Sequence, residues 1–450
     1  MSRLFPGLRC ALRRAAPLLL SLLAACSGAV GQGNAPKLLV ISKSGVTPSE
    51  TSGLASTRMY QCIPSALAAT LYFQDGSAGT FTARVKWSSS DPGTLQVSNG
   101  DIAVAGTSSY YAAGTLVPVT SGDVIVTADY DGIQAQIAIS VGTPQSITVK
   151  VLQDGNEVVP DGNYFSLGAG TTQSLQVTAW LDEVETDVSS NATWSFLSAN
   201  DSEATIDSST GVISAVGSGS QLLTPVAGFA PCTLSNISDP SNALGFTVQH
   251  IQGIAIAPEF SGNPQIIVGN TEKMRVIATL DDGYLQDLGS LATLSSSNSS
   301  IAAVTSGNIL NAVAAGGPAI IGATFTGAGA TYTAPSLTVS AGTATLQTIS
   351  ICWTAVLDAF SGCPASQAAA TVAAGSLTPV QFHAIGTYDA GTLTQDITRQ
   401  AAWASSDATA ATISSLGQAF GVTAQRSVTI TGTDTNAQNV TSAQQQMLVQ

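Results

Sequence analysis

Val85-Lys86-Trp87-Ser88-Ser89-Ser90-Asp91 is the stretch on which the reading of this chain turns, because the sequence returns to it three times. It recurs as Ala192-Thr193-Trp194-Ser195-Phe196, as Ala292-Thr293-Leu294-Ser295-Ser296-Ser297-Asn298, and as Ala401-Ala402-Trp403-Ala404-Ser405-Ser406-Asp407. The anchor positions 87, 194, 294 and 403 lie 107, 100 and 109 residues apart. Self-similarity at a steady spacing marks tandem modules. After each anchor, a short β-branched run meets a Ser/Asn/Gly turn and a second run, as in Ala204-Thr205-Ile206-Asp207 followed by Gly211-Val212-Ile213-Ser214-Ala215-Val216. That order reads as a hairpin.

Upstream of each anchor stands an alternating segment. The clearest are Leu175-Gln176-Val177-Thr178-Ala179-Trp180-Leu181 and Met274-Arg275-Val276-Ile277-Ala278-Thr279-Leu280. Period-two alternation buries one face of a strand and wets the other. Leu67–Phe73 and Val380–Tyr388 complete the set, and each unit also opens and closes on a strand. Units of about a hundred residues with some seven short strands and polar turns predict β-sandwiches. The fold class expected is therefore all-β, with four sandwiches at 36–142, 143–250, 251–342 and 343–450.

Composition narrows the function classes. The 450 residues carry 9% charged side chains and a net charge of −14, with two histidines, His250 and His383. An acidic surface without clustered Lys/Arg is unsuited to a phosphate backbone, so no nucleic-acid partner is expected. Two histidines in 450 residues make a histidine-based metal or triad site hard to assemble. No Gly-x-Ser-x-Gly elbow is present, and Ala314-Ala315-Gly316-Gly317-Pro318 lacks the lysine of a phosphate loop. Asp281-Asp282 sits where adjacent side chains point to opposite faces, which is a turn rather than a carboxylate pair across a cleft. Those acids, or Asp434-Thr435-Asn436, resemble a dedicated calcium loop too little to predict a metal site. The expectation is a non-enzyme with no cofactor, no metal and no small-molecule substrate.

The run from Trp-Ser-Ser-Ser-Asp through a Val/Ile-Ser turn to Val/Ile-x-Ala-Val resembles the group 2 bacterial immunoglobulin-like domains, of the kind repeated in invasin and intimin. The resemblance covers residues 36–450 and is fullest from Trp194 to Gly217. The third unit departs by carrying Leu294 for tryptophan. The first has an insertion around Ser108-Ser109-Tyr110-Tyr111, and the fourth runs Phe420-Gly421-Val422-Thr423 after its hairpin. The resemblance implies that Trp87, Trp194, Leu294 and Trp403 are structural core between two sheets, since buried aromatics supply much of a core's area. It also implies a stalk, or an adhesion module that contacts protein or carbohydrate.

The first 25 residues read as a targeting segment. Arg3, Arg9, Arg13 and Arg14 precede Ala15-Ala16-Pro17-Leu18-Leu19-Leu20-Ser21-Leu22-Leu23-Ala24-Ala25, a basic stretch and then a short apolar one. Leu23-Ala24-Ala25-Cys26 resembles the lipobox of bacterial lipoproteins, which implies cleavage before Cys26 and its acylation (palmitate among the chains). Membrane attachment would then run through Cys26, with residues 26–35 as a tether. Ser27, rather than aspartate, favours the outer membrane by the same resemblance. Loss of the four arginines takes the net charge from −14 to −18.

Cys62, Cys232, Cys352 and Cys363 would then lie in an oxidising compartment, where disulfides persist. Cys352 and Cys363 read as closing a short loop, worth about 3 kcal/mol on a chain-entropy estimate. Cys62 and Cys232 fall in neighbouring units, where a bridge would stiffen the first junction. Connectivity cannot be read from spacing, and zinc is the competing use of such residues. Short junctions such as Ser140–Gln145 predict a semi-rigid rod, on the order of 150 Å if its sandwiches stack end to end. The function expected is lipid-anchored adhesion or surface binding, with a spacer subunit of an envelope or secretion complex as the alternative.

Overall fold

The computed structural model describes residues 35–51, 53–104, 109–153, 156–158, 164–197, 202–229, 244–259, 265–354, 363–364, 366–391, 393–434, 440–442 and 444–450. The targeting segment, Cys26, most of the tether, and Cys232 lie outside these residues. Regular structure among the described residues is strands with a few 3-10 turns and no α-helix.

The alternation read from the sequence is realised as pleat. Along Thr271–Leu280 every second residue is buried: Glu272, Met274, Val276, Ala278 and Leu280. Along Gly316–Gly327, Ala319, Ile321, Ala323 and Phe325 face inward, while Ile320 and Thr324 face out. Small hydroxyl residues on the outward positions cover the sheet without interrupting its ladders.

The first, third and fourth modules each have two sheets, and in the second module the second sheet is split into two two-stranded ladders. In the first sheet, an opening strand pairs antiparallel with the long alternating strand: Pro36–Lys43 with Ser65–Phe73, Ser146–Gln153 with Thr172–Leu181, Ile251–Pro258 with Thr271–Leu280, and Leu346–Thr354 with Val380–Tyr388. In the other, the anchor strand pairs with a later one: Lys86–Ser89 with Gly122–Tyr130, Thr193–Phe196 with Pro225–Gly228, Thr293–Ser296 with Gly316–Gly327, and Ala401–Ser405 with Arg426–Asp434. A short early strand crosses to the second sheet and runs parallel to the closing strand in three modules. These pairs are Tyr164–Gly168 with Gly245–Gln249, Gln265–Ile267 with Leu337–Gly342, and Ala370–Val372 with Gln445–Val449. The chain is thus all-β, four tandem immunoglobulin-like sandwiches.

These sandwiches fall into two compact units. Unit 1 holds the first sandwich, in the described residues up to 59, 64–104 and 109–141. Unit 2 holds the other three, from residue 142 onward, together with residues 60–63.

The four anchors do not share one depth. Trp87 and Trp194 are among the largest fully buried side chains, at 2% and 1% exposure. Trp87 also donates from Nε1 to the Thr82 carbonyl at 2.9 Å. Leu294 is half-buried and packs against two separate clusters, while Phe325 supplies the aromatic bulk of the third sandwich. Trp403 is also half-buried, because Phe382, fully buried, occupies the centre of the fourth core.

The acid that closes the anchor motif is a turn-maker. Asp91 accepts from the Gly93 N–H at 3.0 Å and the Thr94 hydroxyl at 2.7 Å, and Asp407 accepts from the N–H and hydroxyl of Thr409. Asn298 does the same for the Ser300 hydroxyl. Asp207 takes the hydroxyl and N–H of Ser209 and the N–H of Thr210, and these donors lower its carboxyl to about 2. A carboxyl depressed in the folded state stabilises fully above its ordinary value and loses that contribution as pH falls through the folded value. Urea midpoints of the whole chain should therefore fall between about pH 4 and pH 2. Asp207→Asn, which keeps an acceptor without titrating, should flatten that slope.

Candidate functional site

One β-turn recurs where the short crossing strand ends. It spans residues 60–63, 168–171, 267–270 and 373–376, and in each the fourth residue's N–H bonds the first residue's carbonyl. The third position has positive φ every time: Cys62 at 67°, Gly170 at 85°, Gly269 at 89° and Gly375 at 71°. Positive φ at that position defines a type II turn, for which glycine is the natural residue. At Gly170 a side chain is excluded twice over, since a Cβ would lie 2.3 Å from the Ala328 nitrogen.

In two cases this turn receives a glutamine from the next sandwich. Gln286 accepts from the Gly168 N–H at 2.7 Å and donates from Nε2 to the Thr171 hydroxyl at 3.2 Å. Gln395 accepts from the Ile267 N–H at 3.0 Å and from Asn270 Nδ2 at 3.1 Å, while Asn270 also donates to Tyr388 at 2.8 Å. The two glutamines hold one position in the repeat, opposite Ala278 and Gly386 on their partner strands. Both are buried, at 6% and 2% exposure. Apolar contact surrounds them: Tyr284 packs on the cores of the second and third sandwiches, and Ile267 lies in a cluster of the fourth. Burial raises the Tyr388 phenol above its ordinary value. Neither glutamine is visible as a site from sequence alone. The only signal is the repeated Gln-Asp pair at 286–287 and 395–396.

The expected end-to-end stack does not describe unit 2, because the fourth sandwich also touches the second. Lys150 and Glu185 stand on the outward face of a sheet, flanking the strand Thr172–Leu181, yet they are buried at 8% and 4% exposure. The turn at 375–378 covers them. Lys150 Nζ lies 2.7 Å from Glu185, 3.0 Å from Glu157 and 2.7 Å from the Thr378 hydroxyl. Glu185 accepts from the Thr178 hydroxyl at 2.7 Å, the Ser376 hydroxyl at 3.0 Å and the Leu377 N–H at 2.8 Å. Its own N–H donates to the Gly375 carbonyl at 2.7 Å. Burial pushes the Glu185 carboxyl up, but the bonds from Lys150, Thr178 and Leu377 outweigh it and leave the group below its ordinary value.

The other residues singled out in sequence are placed as follows. Cys352 and Cys363 form a disulfide with Cα atoms 5.3 Å apart. Cys62 is disulfide-bonded and buried in the cluster of the second sandwich. Asp282 accepts from the Ser166 hydroxyl and the Tyr284 N–H, joining the second and third sandwiches. Asp281 lies 3.9 Å from the exposed His250. Gly316 and Gly317 open a strand, with a register shift between Gly316 and Ala319. Asp434 is buried, and Thr435 and Asn436 lie outside the described residues.

One grouping resembles a nucleophile, base and acid. The Thr354 hydroxyl is 3.1 Å from His383 Nε2, and His383 Nδ1 is 3.8 Å from Asp396. His383 has 0% exposure and Asp396 6%. A general base must reach the proton it abstracts in a bound substrate. His383 and Asp396 are buried and Thr354 is half-buried, all on the face of their sheet opposite the core residues Phe382 and Ala384. Among the described residues no three His, Cys, Asp or Glu side chains gather to hold a metal. A shallow recess of about 590 Å³ does open on unit 1, lined by Arg58, Asp123, Ile125 and several serines. It mixes charge, hydroxyls and exposed apolar surface.

No protein-family model matches the chain. Ice-binding protein 1 of Shewanella frigidimarina is 28% identical over 374 residues, covering 82% of this chain and 35% of that protein. The chain therefore spans about a third of the length of this relative. Among solved structures, surface layer protein SbsC, domains 1–6, matches at 13% identity and a TM-score of 0.23, over 93% of this chain and 54% of that one. Invasin, a bacterial integrin-binding protein, matches at 10% identity and a TM-score of 0.16, over 92% of this chain and 79% of that one. No activity follows from values this low. The chain's own strands and registers establish four tandem immunoglobulin-like sandwiches, one in unit 1 and three in unit 2.

Proposed function

We propose that this chain is a non-enzymatic protein of the cell envelope, lipid-anchored at Cys26 and most at home in the outer membrane. Its sandwiches act together in adhesion or in binding a surface of protein or carbohydrate. The observation that carries this reading is the repeated glutamine junction. It fixes the successive sandwiches of unit 2 to one another, which suits a protein that presents surfaces rather than one that closes around a substrate. The 0% exposure of His383, which leaves its ring no access to a bound substrate, supports the non-enzymatic part. Similarity to an ice-binding protein over four-fifths of the chain supports a surface-binding role and adds ice to the surfaces worth testing. The recess around Arg58, Asp123 and Ile125 is the contact region we favour in unit 1.

Two measurements test this. Palmitate labelling should mark the wild-type protein and fail for Cys26→Ala; label retained in the variant refutes the anchor. Binding is tested with a glycan array, immobilised matrix proteins and ice-affinity partition, where at least one surface should retain the chain. If none does, and the chain instead copurifies stoichiometrically with an envelope complex, the spacer reading replaces adhesion.

A further inference from the structure

We infer that the contact between the second and fourth sandwiches is a clasp that sets the angles within unit 2. This goes beyond the surface-binding reading and does not depend on it. With the clasp closed, each of the three sandwiches touches the other two, and three bodies joined pairwise have no free hinge. With it open, only the two glutamine junctions remain, in series.

The polar inventory is what makes the contact specific. An ammonium has three donors, and all three on Lys150 are taken, by Glu185, Glu157 and Thr378. A carboxylate offers about four acceptor positions. Those of Glu185 serve Lys150 and Thr178 from its own sandwich, and Ser376 and Leu377 from the fourth. The Thr378 hydroxyl completes the ring by donating to Glu157 at 2.6 Å. A fully satisfied buried network holds one geometry and tolerates few others. In a chain with only 9% charged residues, two glutamates and a lysine meet at this one turn.

Such an interface is also separable. Its contacts are the Ser376 and Thr378 hydroxyls and two backbone amides, those of Leu377 and Glu185, while both ion pairs of Lys150 lie within the second sandwich and Leu377 remains 40% exposed. Polar contacts between domains permit relative motion more readily than large apolar ones. Either face released into water keeps its hydrogen bonding through solvent, so opening strands no polar group. The resulting device is a row of modules that is compact when clasped and longer when released.

The test compares the full mature chain with two variants altered on opposite sides, Glu185→Ala and the double change Ser376→Ala with Thr378→Val. Hydrogen exchange is followed on the peptide spanning 373–379, and small-angle scattering gives the maximum dimension. In the wild type the Leu377 amide should be protected. Both variants should speed its exchange by about tenfold or more, the loss expected when a hydrogen bond to a charged acceptor is removed. Both should also lengthen the particle. If Glu185→Ala disturbs its own sandwich, the double variant, changed only in the turn, gives the reading. Fast Leu377 exchange in the wild type overturns the clasp. Faster exchange in the variants without any change in scattering overturns its role in setting angles.

Discussion

Replacing Trp87 with alanine is expected to lower the stability of the first sandwich by about 3–5 kcal/mol, the range for removing a buried aromatic from a packed core. The side chain is 2% exposed and sits among Leu39, Leu71, Leu95, Leu116, Val126 and Ile137. Its indole N–H is satisfied by the Thr82 carbonyl, so the variant loses a hydrogen bond as well as the ring. Its backbone N–H and carbonyl both meet the Asn99 side chain, at 2.8 and 3.1 Å, which holds the strand in place and limits collapse into the void. A cavity that cannot relax sits at the costly end of the range. For a domain of about 100 residues, each kcal/mol moves the midpoint by about 4–8 °C. The calorimetric transition of unit 1 should therefore fall by more than about 12 °C. The same substitution at Trp403 should cost less, because that ring is only half-buried and Phe382 holds the centre of the fourth core. A loss below about 1 kcal/mol at Trp87 would mean that the tryptophan is not what the two sheets close upon.

Much of this architecture is legible from local pattern. Period-two alternation in Met274–Leu280 reports which face is dry, and a strand obeys that rule regardless of its neighbours. The anchor tryptophan supplies the bulk on which the first two sandwiches close, and the Asp or Asn that follows the anchor in the first, third and fourth makes the turn. Leu294 shows where the pattern loosens: a smaller residue there is tolerated because Phe325, on the paired strand, fills the space. The junctions are not legible in this way. Gln286 and Gln395 look like solvent-facing strand residues, and their burial comes from a different module. Lys150 and Glu185 are likewise covered by a turn far along the chain, 191 residues from Glu185 to Ser376 and 228 from Lys150 to Thr378. The His383 grouping was hidden for a related reason. Its members meet only once strand register is known: Cys352 pairs with His383, and Ile385 pairs with Asp396.

The glutamine junctions carry the second large prediction. Gln395→Ala leaves the Ile267 N–H and one donor of Asn270 without their acceptor, in a site where Gln395 itself is 2% exposed. An unsatisfied buried donor costs about 1–3 kcal/mol, so two of them, with the lost packing, should cost about 2–5 kcal/mol. The loss falls on the coupling between the third and fourth sandwiches more than on either core. Calorimetry of the full chain should accordingly show their shared transition broaden or split. Gln286→Ala should act in the same way between the second and third, through the Gly168 N–H and the Thr171 hydroxyl. Thr186 supplies the control, since it pairs with Ala179 at the same strand position but is half-buried. Thr186→Ala should stay within about 0.5 kcal/mol, as for an ordinary surface change. If all three variants behave alike, the glutamines are surface residues that happen to be covered, and the sandwiches are held by their other contacts. If the two glutamine variants separate the transitions and Thr186→Ala does not, a single side chain per joint is what couples the three sandwiches of unit 2.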